Sequence, residues 1–389
     1  MIDVIIAGVG QTAVREHWDL SLRDLALQAI EAALEEAGGL IPQTLYVANM
    51  LAPVLSHQSH LGALIADYAG FDGIEAFTIE AGGASGGAAI RQAFIAVSSG
   101  MVDAAMVLGV EKFTDQLGTS VEAGLSITLD SDYEAVHGLT PTAQAALLMR
   151  RYMVEYNLTH DVFAPFAMIA HANGAGNPQA MYRKAITIET YQKGGVVADP
   201  INMFDVAPEA DGAAAILLTR ADLLPPSGKE NGSAPLVRIS GSSLAVDTLA
   251  LHDRHDILHL QAARLSIERA CRQAGMLPSD ADFFEFFDSS SILAALSLEA
   301  AGLCARGQGC HMVQSGCCDL NGKHPILTMG GLKARGNPGG ATGVYQAVEA
   351  TLQLRGQAGK NQVADSRRGL IQCLGGAATT AATHVLERI

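Results

Sequence analysis

The chain says nearly the same thing twice, and that repetition narrows its fold more than any other feature. Residues 22–38 (LRDLALQAIEAALEEAG) carry apolar positions at helical spacing, stop at Ala-Gly, and lead into a strand-like run at 44–50 (TLYVANM). Residues 262–275 (AARLSIERACRQAG) do the same and lead into 281–287 (ADFFEFF). A second echo lies in two glycine turns: Gly82-Gly83-Ala84-Ser85-Gly86 precedes a predicted helix at 88–98, and Gly339-Gly340-Ala341-Thr342-Gly343 precedes one at 344–354. Strand-like runs alternating with amphipathic helices predict sheets covered by helices, and the matched pairs predict two similar halves related by a pseudo-twofold.

The 389 residues suffice for two fused cores. A net charge of −15 argues against a nucleic-acid partner, since phosphate backbones require an excess of Lys and Arg. No apolar run reaches the roughly 18 residues needed to cross a bilayer, so no membrane insertion is expected. The opening MIDVIIA reads as a buried strand, with an acid where an export signal would carry basic residues. Six cysteines, all in the second half, are expected to be free thiols in a reducing compartment, which places the chain in the cytoplasm.

Residues 115–199 hold a predicted helix at 142–156 and little sheet pattern, as an insertion over a cleft would. The polar, Pro-Gly-rich stretch 224–234 (LPPSGKENGSA) reads as the junction between halves. The expected organisation is a first half over 1–118, an inserted loop domain over 119–195, the end of the first half with its linker over 196–235, and a second half over 236–389.

A strand that ends in a glycine turn and opens a helix bares backbone N–H groups in the positive field of the helix end. That arrangement stabilises an anion or a developing oxyanion, and acyl-transfer sites place Cys or Ser there. A turn needing positive φ and close helix contact explains the same glycines without chemistry.

Several segments together resemble the thiolase family, in its branch similar to sterol carrier protein thiolases. They are Glu80-Ala81-Gly82-Gly83-Ala84-Ser85-Gly86-Gly87, Gly109-Val110-Glu111-Lys112, Ala207-Pro208-Glu209-Ala210-Asp211-Gly212-Ala213-Ala214-Ala215, Gly330-Gly331-Leu332-Lys333-Ala334-Arg335-Gly336-Asn337-Pro338 with Gly340-Ala341-Thr342-Gly343, and Cys373-Leu374-Gly375-Gly376. The resemblance implies an α/β thiolase fold, a duplicated αβαβα five-layered sandwich of two five-stranded sheets with an inserted loop domain. It also implies a cleft for coenzyme A thioesters, with no covalently bound cofactor, and carbon–carbon bond formation or cleavage between acyl-CoA units. A homodimer or homotetramer is implied, and some relatives work with a small OB-fold partner.

Carried over residue by residue, the resemblance implies an altered site. The nucleophilic cysteine falls on Gly83, the histidine of the Gly-His-Pro turn on Asn337, the strand-turn histidine on Phe287, and the cysteine that often follows it on Ser289. Cys373 alone keeps a catalytic residue type. Asn337 is expected to donate a hydrogen bond to a thioester carbonyl, and backbone N–H groups near Gly376 to form part of an oxyanion hole. Lys333, Arg335 and Ser242 are candidate coenzyme A contacts, the two cations for its phosphates. Ser85 is the one hydroxyl near the missing nucleophile, and Tyr345 a phenol at a helix start. Cys304, Cys310, His311, Cys317 and Cys318, and the run His252, His255 and His259, lack convincing metal spacing. Three functions fit: bond chemistry without an acyl-cysteine, assisted by Asn337 and Cys373; a non-catalytic acyl-CoA-binding subunit; or a retro-aldol lyase on a 3-hydroxyacyl-CoA, although relatives of that kind use tyrosines where this chain has Phe287 and Asn337.

Overall fold

The structure, a computed structural model, describes residues 2–224 and 234–389, so all but the ends of the expected junction lie outside the described residues. The first half runs through β1 (Val4–Gln11), α1 (Leu22–Glu36), β2 (Thr44–Ala48), α2 (Ala52–Leu55), α3 (Leu61–Tyr68), β3 (Glu75–Ile79), α4 (Ser85–Ser98) and β4 (Ala104–Glu111). The insertion contributes α5 (Gly118–Ser126), α6 (Pro141–Tyr156), α7 (Ala164–Gly174), α8 (Ile188–Gln192) and a small hairpin of β5 (Val196–Ala198) and β6 (Ile201–Asn202), before β7 (Gly212–Arg220) returns to the sheet. The second half holds β8 (Val237–Val246), α9 (Gln261–Ala274), β9 (Phe283–Glu285), α10 (Ser291–Ala300), α11 (Gly309–Gln314), α12 (Thr342–Arg355), β10 (Arg368–Gly375) and β11 (Thr380–Arg388).

Local chemistry explains the boundaries. Ser21 caps α1 through its hydroxyl while Asp24 reaches back to the Ser21 N–H, and α9 and α12 end on Gly275 and Gly356 in the left-handed region. The second predicted strand is shorter than its sequence, because the chain leaves the sheet after Glu285 and carries Phe287 toward the cleft.

Among the described residues, nine of the eleven strands form one continuous sheet in the order β3-β2-β4-β7-β1-β8-β11-β10-β9. The expected αβαβα thiolase layering is present, but its two sheets are joined and are not both five-stranded. The halves join edge to edge where β1 and β8 pair antiparallel, and the second half keeps four strands, its fifth place taken by a single bridge from Ile326 to Phe284. Counted outward from that seam, the order in each half is first, last, penultimate, second, so the sequence repeat is a structural one. Helices α1 and α9 cover the outer faces, while α4 and α12 lie between the halves and against each other.

The glycine turns serve that central crossing. A Cβ on Gly86 would lie 2.9 Å from Gly343 Cα, and one on Gly343 would lie 2.5 Å from Gly87 N. Two helices approach here backbone to backbone, which any side chain would prevent. Both helices start inside the turns, at Ser85 and Thr342, a few residues earlier than their hydrophobic pattern predicts. Among the described residues, no helix is long and apolar enough to cross a membrane.

Candidate active site

A cleft of about 790 Å³, counted to its open mouth, lies where the end of α4's glycine turn, the insertion and the second half meet. Leu125, Leu148, Val206 and Leu293 give it apolar walls, and Gly83, Glu209, Phe287, Ser289, Asn337 and Gly376 also line it. Its apolar walls and few convergent polar groups suit a small-molecule ligand. Three sequence-predicted positions, Gly83, Asn337 and Gly376, are thus brought together.

Gly83 is more than a missing side chain. A Cβ built there would lie 2.6 Å from Phe287 Cζ and 2.6 Å from Leu374 O. The ring of Phe287 occupies the space a nucleophile's side chain would need. Ser85 is no substitute: its buried hydroxyl donates to Gly82 O at 2.6 Å and accepts from Ala81 N at 2.9 Å, so it clamps the turn.

Cys373 lies apart from the cleft lining. Its thiol is buried beneath α4, 3.8 Å from Ala84 O, in the space left by Gly87 and Gly343, and does not line the cleft. Burial pushes the thiol up to about 12. Lys333 and Arg335, the candidate phosphate contacts, lie in the core, 2% and 1% exposed. Gly330 and Gly331, both at positive φ, let this segment turn inward. There the Lys333 ammonium donates to Asp205 O at 2.8 Å and Asp288 O at 2.9 Å, and Arg335 stacks on Tyr345 beside Glu349. Burial pulls Lys333 down to about 8, even with Asp288 and Asp205 nearby. Ser242, the third candidate contact, faces His384 Nδ1 at 3.1 Å in the core, where burial drives that imidazole down to about 3 and keeps it neutral. The Tyr345 hydroxyl donates to Thr12 O at 3.0 Å, a packed helix residue. Among the described residues, no three His, Cys, Asp or Glu side chains are placed to hold a metal ion.

Two acids of the quoted motifs build the cleft's frame. Asp211 accepts from Lys112 Nζ at 2.9 Å, from the N–H groups of Phe113 and Thr114, and from His17 N. Glu111 accepts from Asn49, Met50 N, Leu51 N and Gly340 N, fixing the second glycine turn against the first half.

Glu209 is the residue that sequence reasoning passed over. It sits inside the quoted run Ala207–Ala215, which entered only as one of the segments that carry the resemblance. Asn337 Nδ2 donates to its two oxygens at 3.3 and 3.1 Å. The Asn337 amide is itself oriented, because its Oδ1 accepts from Gly339 N at 3.2 Å and from the Thr342 hydroxyl at 3.4 Å. Desolvation at the cleft floor, reinforced by the charges of Glu122 and Glu111, pushes the Glu209 carboxyl up to about 8 against the opposing pull of Asn337. A carboxyl with such a pKa, open to a cleft, can both take and return a proton near neutrality. The available signal was an acid among small apolar residues just before a buried strand.

Residues 4–222 match the family model for the thiolase N-terminal domain and residues 243–388 that for a thiolase C-terminal domain-like unit. The acetyl-CoA acetyltransferase of Methanothermobacter thermautotrophicus is 38% identical over the whole of both chains. A 17-hydroxy-3-oxo-4-pregnene-20-carboxyl-CoA lyase of Mycobacterium tuberculosis is 28% identical, over 90% of this chain and 91% of that one. Among solved structures, the Ltp2–ChsH2(DUF35) aldolase superposes with a TM-score of 0.84 at 24% identity, over 99% of this chain and 98% of that one.

Proposed function

Because the chain belongs to the thiolase family, among its sterol carrier protein-like members, we propose that it is an enzyme acting on a coenzyme A thioester, forming or cleaving a carbon–carbon bond without an acyl-cysteine intermediate. One observation carries this reading: the nucleophile's place is Gly83, and the volume above it is filled by Phe287. Covalent catalysis needs a nucleophile with a neighbouring base, and the cleft wall offers neither a thiol nor an activated hydroxyl at that point. Asn337 and the backbone around Gly376 remain available to bind and polarise a thioester.

The test is turnover of 3-oxoacyl-CoA with free coenzyme A and of 3-hydroxyacyl-CoA, each by the protein alone and with a DUF35-type partner, which a solved relative carries in its name. The reading predicts that a thioester is consumed and that prior treatment with iodoacetamide leaves the rate intact. Loss of all turnover on thiol alkylation would contradict it. A second reading, a non-catalytic thioester-binding subunit, is favoured by the departures at Gly83, Phe287 and Asn337 together. Binding of a thioester by calorimetry without turnover in any arm would establish it instead.

A further inference from the structure

We infer that Cys317 and Cys318 form a dithiol modification site, at which a hydroperoxide oxidises the pair to a disulfide between chain neighbours and a thiol reductant reopens it. The two Sγ atoms lie 3.8 Å apart. Cys317 is half-buried, while Cys318 is fully buried in the same apolar core as Phe284 and Ile326. Neither thiol lines the cleft, so the site stands outside the thioester chemistry. The loop after α11 builds the pair. Gly316, at φ 76°, turns the chain back, and the Cys317 thiol donates at 3.1 Å to Met312 O, the carbonyl that also receives the Ser315 hydroxyl at 2.6 Å. On the other side Gly322 passes so close that a Cβ there would lie 2.4 Å from Cys317 O. Two thiols held in this way meet without a search once one of them is oxidised.

The chemistry runs in two steps. The Cys317 sulfur attacks the peroxide, the O–O bond breaks, and a sulfenic acid forms while the thiol proton leaves with the departing water or alcohol. The Cys318 sulfur then attacks that of Cys317, the S–S bond forms, the S–O bond breaks, and the hydroxyl leaves as water with the Cys318 proton. The two thiols together lose two electrons and two protons, and the hydroperoxide gains them. Burial pushes the Cys318 thiol up and spares it until its neighbour has reacted.

Ring closure must move the backbone. The sulfurs close from 3.8 Å to about 2.05 Å, and neighbouring Cα atoms stand about 3.8 Å apart, short of the ~4.4–6.8 Å that a disulfide prefers. The peptide between the two cysteines therefore twists. Its carbonyl, Cys317 O, accepts from His324 N at 2.8 Å, and the next one, Cys318 O, accepts from Ile326 N at 3.2 Å. A surface hollow lined by Ala172, Asn173, Asp319 and Gly322 gives the loop room to shift. Oxidation thus loosens the return segment that bridges to Phe284 of β9, and the strain makes the bond easy to reduce again.

The test treats the reduced protein, freed of reductant, with graded hydrogen peroxide and then N-ethylmaleimide, and reads it by intact mass and by fragmentation of its peptides. The first cysteine product should lack two hydrogens, carry its disulfide between Cys317 and Cys318, and return to the reduced mass with dithiothreitol. Phenylarsine oxide, which bridges two thiols with loss of water, should add once to the reduced protein and be excluded from the oxidised one. Hydrogen exchange at the His324 and Ile326 amides should quicken on oxidation by about five- to tenfold, the worth of one backbone hydrogen bond. Cys318→Ala should stop at a Cys317 sulfenic acid that dimedone traps, Cys317→Ser should form no disulfide, and Cys304→Ser should behave as the parent. Mapping on the parent decides the matter should a variant fail to fold. A disulfide from Cys317 to Cys304 or Cys310 would overturn the inference. So would a sulfinic acid at Cys317 without a disulfide, or an unreacted pair at peroxide doses that oxidise free glutathione.

Discussion

Restoring the family's cysteine should damage this protein before it helps it. In Gly83→Cys the new Cβ would stand 2.6 Å from Phe287 Cζ and from Leu374 O. Carbon atoms approach comfortably to about 3.5 Å, so the ring must give way by ~0.9 Å, and its freedom to do so is limited because Phe287 is itself buried. Leu374 O belongs to β10 and cannot rotate aside. Overpacking of this kind costs about 1–3 kcal/mol, read as a lower denaturant midpoint at unchanged slope. The companion Phe287→Ala removes one of the two obstacles. The double mutant should therefore be more stable than the sum of the single effects, by a coupling of ~0.5–3 kcal/mol. Chemistry should not return with the thiol, because the neighbouring position holds Asn337, whose amide neither gains nor loses a proton near neutrality. Incubation of G83C with an acyl-CoA should give no acylated protein by intact mass. Full stability of G83C, strict additivity with F287A and stoichiometric acylation would together refute the claim that Phe287 has closed the nucleophile's place.

Other expectations follow from the same geometry. Cys373→Ala should leave turnover unchanged and lower stability by ~1–2 kcal/mol, since it empties a packed site beneath α4; a denaturation curve beside a rate measurement checks both. Lys333→Met should destabilise by about 3 kcal/mol, because it leaves buried acceptors and Asp288 without their cation. Thioester affinity measured by calorimetry on the folded variant should not change, as it would if Lys333 held a phosphate. Stability should also fall as pH rises. Burial pushes Glu209 up to about 8 and Glu111 up to about 7, and Glu285 and Glu349 in the same direction. An acid raised in the folded state contributes stability that is complete below its unfolded value of about 4.3 and is lost as pH climbs through the folded one. The lowered acids Asp205 and Asp211 act in the opposite sense but only in the acid range. The denaturant midpoint should therefore decline from about pH 5 to about pH 8, and E209Q should flatten that decline.

The duplication was legible because it is written in periodicity and glycine, both of which report backbone needs directly. Helices α1 and α9 announced themselves by an apolar stripe and a terminal glycine, and Gly83 by its neighbours. Side-chain direction was not legible. Lys333 and Arg335 look like solvent-facing cations in the sequence, yet positive φ at Gly330 and Gly331 turns them into the core, where backbone carbonyls and an aromatic ring receive them. Cys373 sits in a motif that promises chemistry, but the glycines of α4 and α12 leave a hollow that its sulfur fills. Glu209 went unnoticed for the converse reason: its partner Asn337 is 128 residues away, and only the fold brings the amide to the carboxylate.

The most direct test of the whole account is intact-mass analysis of the protein quenched during steady turnover of a coenzyme A thioester. The account predicts that products accumulate while the protein keeps its unmodified mass at every time point. An acyl adduct that appears in a burst and decays at the rate of turnover would contradict it, because it would mean that a nucleophile works in the cleft after all.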